Sequence, residues 1–367
     1  MRIAGMDYRT LEQKIGQLFF IGIPGPEIDE RTEDLLDEVK PGGVCLFARN
    51  IKERKQTRDL LDAIRAKLDR PFLSVDQEGG LVDRLRRIMT PMPSSDKIKT
   101  AGDAESIGRI IAVTLRILGF NMDFAPVVDV IDAGRDRFSN GLHSRAFGRS
   151  QTDVAELAGQ FLTTMESHGV IGCLKHFPGL GASEVDSHHE LPTVSIDEAE
   201  FIDKDLHPYK AIFGNGSARS VMIAHAAFPN VRLQERDQNG KLLPSSLSPA
   251  IISDLLRGEL GFDGLVVTDD LEMGAIVENY GIGDACKRAI AAGADMLAIC
   301  AGESAIREGH EAITTAIANG EITGDRLDRS IERISSLKTK LAEPLPFDNA
   351  RLDELSNEIV ELNSRIN

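Results

Sequence analysis

A chain of 367 residues, 42% of them hydrophobic, is long enough for one large domain or two ordinary ones around a well-buried core. Its net charge of −16 argues against a nucleic-acid partner, because phosphate binding draws on an excess of Lys and Arg. No apolar stretch of about 18 residues offers a membrane span, the N-terminal segment lacks the layout of a secretory signal, and the four cysteines (Cys45, Cys173, Cys286, Cys300) form no CxxC pair, so free thiols and a cytoplasmic location are expected.

Short apolar runs alternate with amphipathic ones along the chain. Strands are expected at "QLFFIGI" (17–23), "GGVCLFA" (42–48), "PFLSVD" (71–76) and "MDFAPVVDV" (122–130). Four more follow at "GVIGCLKHF" (169–177), "SVMIAHAAF" (220–228), "GLVVTDD" (264–270) and "DMLAICA" (295–301). Such nearly continuous apolar runs suit parallel strands buried on both faces. Helical patterns lie between them: "RTEDLLDEVK", "KQTRDLLDAIRAKLD" and "DAESIGRIIAVTLRILG" precede the second, third and fourth strands. "SPAIISDLLRGELG" is bounded by Ser248, able to cap it, and Gly261, able to end it. Eight strands alternating with helices predict an α/β fold, a (β/α)8 TIM-type barrel over residues 1–341, followed by a C-terminal helical extension over 342–367. An open doubly wound sheet fits less well, since no Gly-rich nucleotide fingerprint follows the first strand. In the extension, Leu352, Leu355, Ile359, Leu362 and Ile366 recur at steps of three and four. That stripe either docks on the chain's own barrel or contributes to a homodimer, so monomer and homodimer both stay open.

In a barrel of this kind, chemistry sits at the C-terminal ends of the strands. There the third strand ends in Asp76, the fifth in Lys175 and His176, the sixth near His225 and the seventh in Asp269 and Asp270. The loop "KHFPGLGASEVDSHHELP" (175–192) leaves the fifth strand at the same rim and is too rich in titratable groups for a plain linker. Its Gly179 and Gly181 are expected to let it swing. His176, His188, His189 and His225 could ligate a metal, but they lack HExxH-like spacing. Ser183 or Ser187 could be a hydrolase nucleophile, but no GxSxG elbow is present. Glycoside hydrolysis needs one group to protonate the leaving oxygen and another to attack or stabilise the anomeric carbon from the opposite face. Asp269 at a strand end is placed for the second role, although it or Asp270 could instead cap the following "LEMGAI" segment. His188, with Asp186 two residues earlier holding its tautomer, is placed for the first, or is an exposed loop histidine.

At these residues the sequence resembles glycoside hydrolase family 3, specifically its single-domain bacterial β-N-acetylglucosaminidase branch. "KHFPGLGASEVDSH" is similar to the family's KHFPGHGxxxxDSH loop, "SVDQEGGLVDRL" to its VDQEGGRVxR segment, and "GFDGLVVTDDLEMGAI" to its nucleophile strand. "MDFAPVVDV", "SRAFG", "VMIAH" and "AAGADMLAIC" match in the same order. The resemblance implies a (β/α)8 fold, Asp269 as nucleophile, His188 as acid/base and Asp186 as its partner. It further implies that Asp76, Arg84, Arg145, Lys175 and His176 bind the sugar. The activity implied is a retaining exo-β-N-acetylglucosaminidase working on terminal β-linked N-acetylhexosamines, such as those of peptidoglycan fragments, with no cofactor and no metal. A phosphorylase or a β-glucosidase on the same barrel, and a non-catalytic sugar-binding barrel, are the alternatives. Three positions depart from the pattern: Leu180 stands where the loop often has His, Leu81 where an Arg is common, and His143 where a Gly precedes the Arg.

Overall fold

Apolar runs of four to six residues, each followed by an amphipathic helix, can bury both faces of their strands only by packing into a sheet covered by those helices. The computed structural model describes residues 10–138, 141–184 and 191–366, and these show that arrangement. The strands are β1 (Phe19–Gly22), β2 (Gly43–Leu46), β3 (Phe72–Val75), β4 (Met122–Asp123), β5 (segments Ile171–Gly172 and Leu174–Phe177), β6 (Ser220–Ile223), β7 (Leu265–Asp270) and β8 (Met296–Ile299). All neighbouring pairs are parallel. The bonded order runs from the first segment of β5 through β4, β3, β2, β1, β8, β7 and β6 to its second segment. Both ends of the sheet are therefore one strand, interrupted at Cys173, and the sheet closes. On one side Cys173 N–H donates to the Ala125 carbonyl (2.8 Å) and Val128 N–H to that of Lys175 (2.7 Å). On the other, Leu174 pairs with Val221 and Phe177 with Ile223. The chain is a TIM-type (β/α) barrel.

The expected strand over 122–130 is shorter than the pattern suggested: its regular ladder covers Met122–Asp123, and Val127 makes only an isolated bridge to Lys175. Pro126 has no N–H to continue a ladder. The remaining residues stay buried, which frees Asp129 to turn its carboxylate toward β5. Ser248 behaves as expected, with its hydroxyl accepting the Ile251 N–H at 3.2 Å.

The C-terminal stripe has a definite destination. The helix Asn349–Ile366 packs against the helix Ala101–Leu118 of the same chain, with Leu352, Leu355 and Ile359 fully buried and Leu362 nearly so. Ion pairs pin its polar flanks: Arg365 to Asp103 and Arg54 to Asp353, both at 2.6 Å, and Arg109 to Glu358. The homodimer contact sketched from this stripe is thus replaced by packing within the chain, because the apolar residues that would meet a second copy are already covered. Replacing Leu355 with Ala is expected to destabilise the protein by about 2–5 kcal/mol through the cavity it leaves, seen as a lower urea midpoint with an unchanged m-value. A change of association state with unchanged stability would point back to the dimer.

Candidate functional site

The C-terminal ends of the strands surround a cavity of about 250 Å³. Asp76, Arg84, Arg145, Lys175, His176 and Asp269, all expected in the site, line it together. Asp186 and His188 lie outside the described residues. Glu78, Asp270, Phe124 and Cys300 also line it. Phe124 packs edge-on against Phe20, which stacks on Phe72, so an aromatic cluster backs one wall.

A hairpin directly after β3 sets the acidic side of the cavity. Its strands Gln77–Gly79 and Val82–Asp83 are joined through Gly79, whose φ of +93° and close approach to the Pro93 carbonyl (a Cβ would lie 2.2 Å from its oxygen) admit only glycine. The Gln77 side chain donates to Asp83 (2.8 Å) and accepts from Leu85 N–H (3.0 Å), while Gln77 N–H donates to Asp123 (2.9 Å). This frame aims Glu78 and Arg84 into the cavity. Leu81, at the tip, points to solvent instead with 71% of its surface exposed.

Glu78 was not singled out from the sequence, although it sits in the quoted "VDQEGG" segment, yet it is the hub of the site. It accepts from Lys175 Nζ at 2.6 Å and from both Nε (2.8 Å) and Nη2 (3.0 Å) of Arg145. Lys175 also reaches Asp76 at 2.7 Å. Burial raises the pKa of Glu78, but the charges and hydrogen bonds of Lys175 and Arg145 outweigh it and bring it down to about 2. Burial likewise lowers Lys175, and Asp76 and Glu78 more than restore it, so the ammonium stays charged. Arg84 also faces the cavity, and its Nε is buried without a partner among the described residues. The loop carrying Arg145 accommodates His143 by letting its Nε2 donate to the Phe138 carbonyl at 2.7 Å.

Asp129 is a second residue missed in the sequence. Its Oδ2 accepts from His176 Nδ1 at 2.8 Å, and its Oδ1 accepts from Leu180 N–H at 2.6 Å. It therefore fixes the imidazole and the first turn of the 175–192 loop at once. That turn is packed, contrary to the expected swing at its glycines. A Cβ on Gly181 would lie 2.0 Å from the Val130 carbonyl oxygen, and one on Gly179 would lie 2.8 Å from the Asp205 side chain. Both glycines serve close approach. Leu180, in place of the usual His, is buried and forms part of the cavity wall.

Asp269 ends β7 with its Oδ1 accepting from Asp270 N–H at 2.8 Å. Burial raises its pKa, but His176, His225, that N–H and Lys175 reverse the effect and hold it below the usual carboxylate range. His225 is fully buried, with Nε2 donating to the Asp270 carbonyl (3.0 Å) and Nδ1 facing the Ser246 hydroxyl (2.7 Å). Of the four histidines weighed as metal ligands, His176 and His225 each have hydrogen-bond partners within the protein, and His188 and His189 lie outside the described residues. An ionised carboxylate lining a cavity, facing cations and hydrogen-bonding groups suited to hydroxyls, is equipped to hold a sugar and attack it.

Substituting Glu78 with Gln leaves Lys175 and Arg145 short of a counter-charge, and a loss of about 3–5 kcal/mol is expected. Because the folded pKa is depressed, the contribution of Glu78 is present above pH about 4.5 and is lost as pH falls toward about 2. Urea melts of the wild type and Glu78→Gln across that range should converge at the acidic end; parallel curves would show that Glu78 is not the linked group.

Comparison with known proteins follows from this geometry. Residues 10–337 match the glycosyl hydrolase family 3 N-terminal domain. A β-hexosaminidase of Pseudomonas aeruginosa is 36% identical over 288 residues, covering 76% of this chain and 81% of the relative. That of Bordetella avium is 35% identical over 295 residues, covering 76% and 79%. Among solved structures, a family 3 β-N-acetylglucosaminidase from Paenibacillus sp. str. FPU-7 superposes with a TM-score of 0.85 at 34% identity, covering 96% of this chain and 68% of that one. A family 3 glycosyl hydrolase from Mycobacterium smegmatis superposes with a TM-score of 0.79 at 31% identity, covering 90% and 97%. With the family match spanning nearly the whole barrel, and the strand ends forming a carboxylate-centred cavity, this chain belongs to glycosyl hydrolase family 3.

Proposed function

We propose that this family 3 glycoside hydrolase is a retaining exo-β-N-acetylglucosaminidase that releases terminal β-linked N-acetylhexosamine, with peptidoglycan fragments as its substrates. The observation that carries the reading is Asp269, a half-buried carboxylate on the cavity wall held ionised by the surrounding imidazoles, N–H and ammonium at the end of β7. The names of the relatives support the acetamido sugar, and the cavity volume of about 250 Å³ suits a single ring better than the roughly 300–1,000 Å³ of larger ligand pockets. The four buried free thiols fit a reducing, cytoplasmic setting. Among the described residues no helix is long and apolar enough to cross a membrane.

In the first step Asp269 attacks the anomeric carbon while His188 protonates the departing glycosidic oxygen, leaving a glycosyl-aspartate. In the second, His188 takes a proton from water, the hydroxide displaces Asp269, and two inversions give net retention. Asp76, Lys175, Arg145, His176 and Arg84 hold the ring through its hydroxyls and acetamido group. Asp186 orients the His188 imidazole and raises its pKa by charge proximity.

A 5-fluoro N-acetylglucosaminyl fluoride should label a peptide containing "VVTDDLEM" at Asp269, and Asp269→Ala should abolish labelling. Attachment elsewhere, or a product of inverted configuration, would refute the assignment. The same variant should lower hydrolysis of p-nitrophenyl β-N-acetylglucosaminide by at least about 10³-fold, and the wild type should give free sugar as the product even in added phosphate.

Replacing His188 with Ala should slow substrates with poor leaving groups by about 10²–10⁴-fold while sparing dinitrophenyl glycosides in kcat/KM, since these leave without a proton. Asp186→Ala should show the same pattern, with the basic limb of the pH profile moved to lower pH. Equal losses on both substrate types would place the acid on another residue, with Glu184 and Glu190 next to test.

A further inference from the structure

The cavity contains a second carboxyl group that the two-step scheme does not use. Asp270 follows Asp269 and lines the same wall, beside Cys300, Met273 and Ala298. Its Oδ1 accepts the Glu272 N–H at 3.1 Å and the Cys300 N–H at 3.3 Å. Its Oδ2 has no partner among the described residues and is not among the fully buried unpartnered atoms, and the residue itself lines the cavity. Its electrostatic setting is the reverse of its neighbour's. Asp269 and Glu272 both add negative charge at close range, and the Glu272 carboxylate is pinned there by the N–H groups of Ala301 and Gly302.

The groups facing Asp270 from other elements do not supply an offsetting ion pair. His225, beyond β6, spends its Nε2 on the Asp270 backbone carbonyl rather than its carboxyl. Arg49, between β2 and the next helix, is occupied by the carbonyls of Ile23 and Cys300. Lys175 lies on β5 and is paired with Asp76 and Glu78, and Arg84 stands on the hairpin after β3. Cys45 and Cys300 contribute buried thiols whose pKa is pushed up by burial, so they carry no charge.

We infer that Asp270 acts as a neutral carboxylic acid whose Oδ2–H donates a hydrogen bond to an oxygen of the bound sugar, making it a glycone-positioning residue of this enzyme. The inference rests on the hexosaminidase reading above and adds a binding group to it. An ionised carboxylate can only accept, so the contact exists below the pKa of Asp270 and is lost above it. Burial raises that pKa, with Glu272 and Asp269 adding to the effect against the two N–H donors, to about 7. Two adjacent carboxyls are thus driven to opposite protonation states, one to attack and one to donate.

The decisive experiment measures the affinity for N-acetylglucosamine by calorimetry at pH 5.5 and 8.5, together with kcat/KM for a dinitrophenyl β-N-acetylglucosaminide, whose first step needs no acid. Wild-type affinity should fall about tenfold between the two pH values, the weight of one hydrogen bond replaced by an unpaired charge, and kcat/KM should fall in parallel. In Asp270→Asn, whose amide donates at every pH, the ratio of the two affinities should shrink to about twofold or less. Glu272→Gln removes a neighbouring negative charge and should move the wild-type fall to lower pH, which provides a test even if Asp270→Asn folds poorly. A flat wild-type affinity, or an Asp270→Asn ratio equal to that of the wild type, overturns the inference while leaving the hydrolase reading intact. Failure both to bind N-acetylglucosamine and to release it from any glycoside overturns the hexosaminidase reading and this inference with it.

Discussion

The contact between Lys175 and Glu78, 2.6 Å long and shielded from water, is the constraint on which the rest of the site depends. It ties the strand that leads into the 175–192 loop to the hairpin that leaves β3, two elements not adjacent in the sheet. Through Glu78 it also holds Arg145, and through Lys175 it holds Asp76. Such buried ion networks seldom stabilise a protein more than well-packed apolar residues of similar volume. Their value here is directional: the pairs fix Lys175, Arg145 and Asp76 in the wall of the cavity, so a ligand entering it would meet groups already in place.

Asp129 extends the same logic to the opposite wall. One carboxylate oxygen holds the His176 imidazole and the other holds the backbone of Leu180. The early part of the 175–192 loop is consequently an outgrowth of the barrel core, with Leu180 and Ala182 buried. The loop departs from a defined point and direction. Glycine is needed at 179 and 181 because neighbouring atoms leave no room for a side chain.

Asp269 and Asp270 show how neighbouring residues of one type acquire different chemistry. Both are half-buried in the cavity wall, where partial loss of hydration disfavours charge on each. Asp269 faces imidazoles and an ammonium, whereas Asp270 faces amide N–H groups and another carboxylate. The balance of charge around the group, more than the extent of its burial, decides which one ionises.

Most of the fold was legible in the sequence. Apolar runs flanked by amphipathic ones admit few architectures, and eight of them in alternation point to the barrel, with strand-end acids, Lys and His at one rim. The family motifs likewise picked out Asp76, Arg84, Arg145, Lys175, His176 and Asp269, which the fold brings into one cavity. The destination of the tail stripe was not legible, because periodicity shows that a helix has an apolar face without showing what covers it. The early end of β4 depended on where Pro126 falls in the ladder. Glu78 and Asp129 escaped notice for a related reason. Each is an acid within an apolar or glycine-rich run, and its importance lies in partners 97 and 47 residues away in sequence for Lys175 and His176, respectively. Residue types and their spacing determined which chemistry was available to this chain; only tertiary packing decided which acids are paired, which are charged, and which face the cavity.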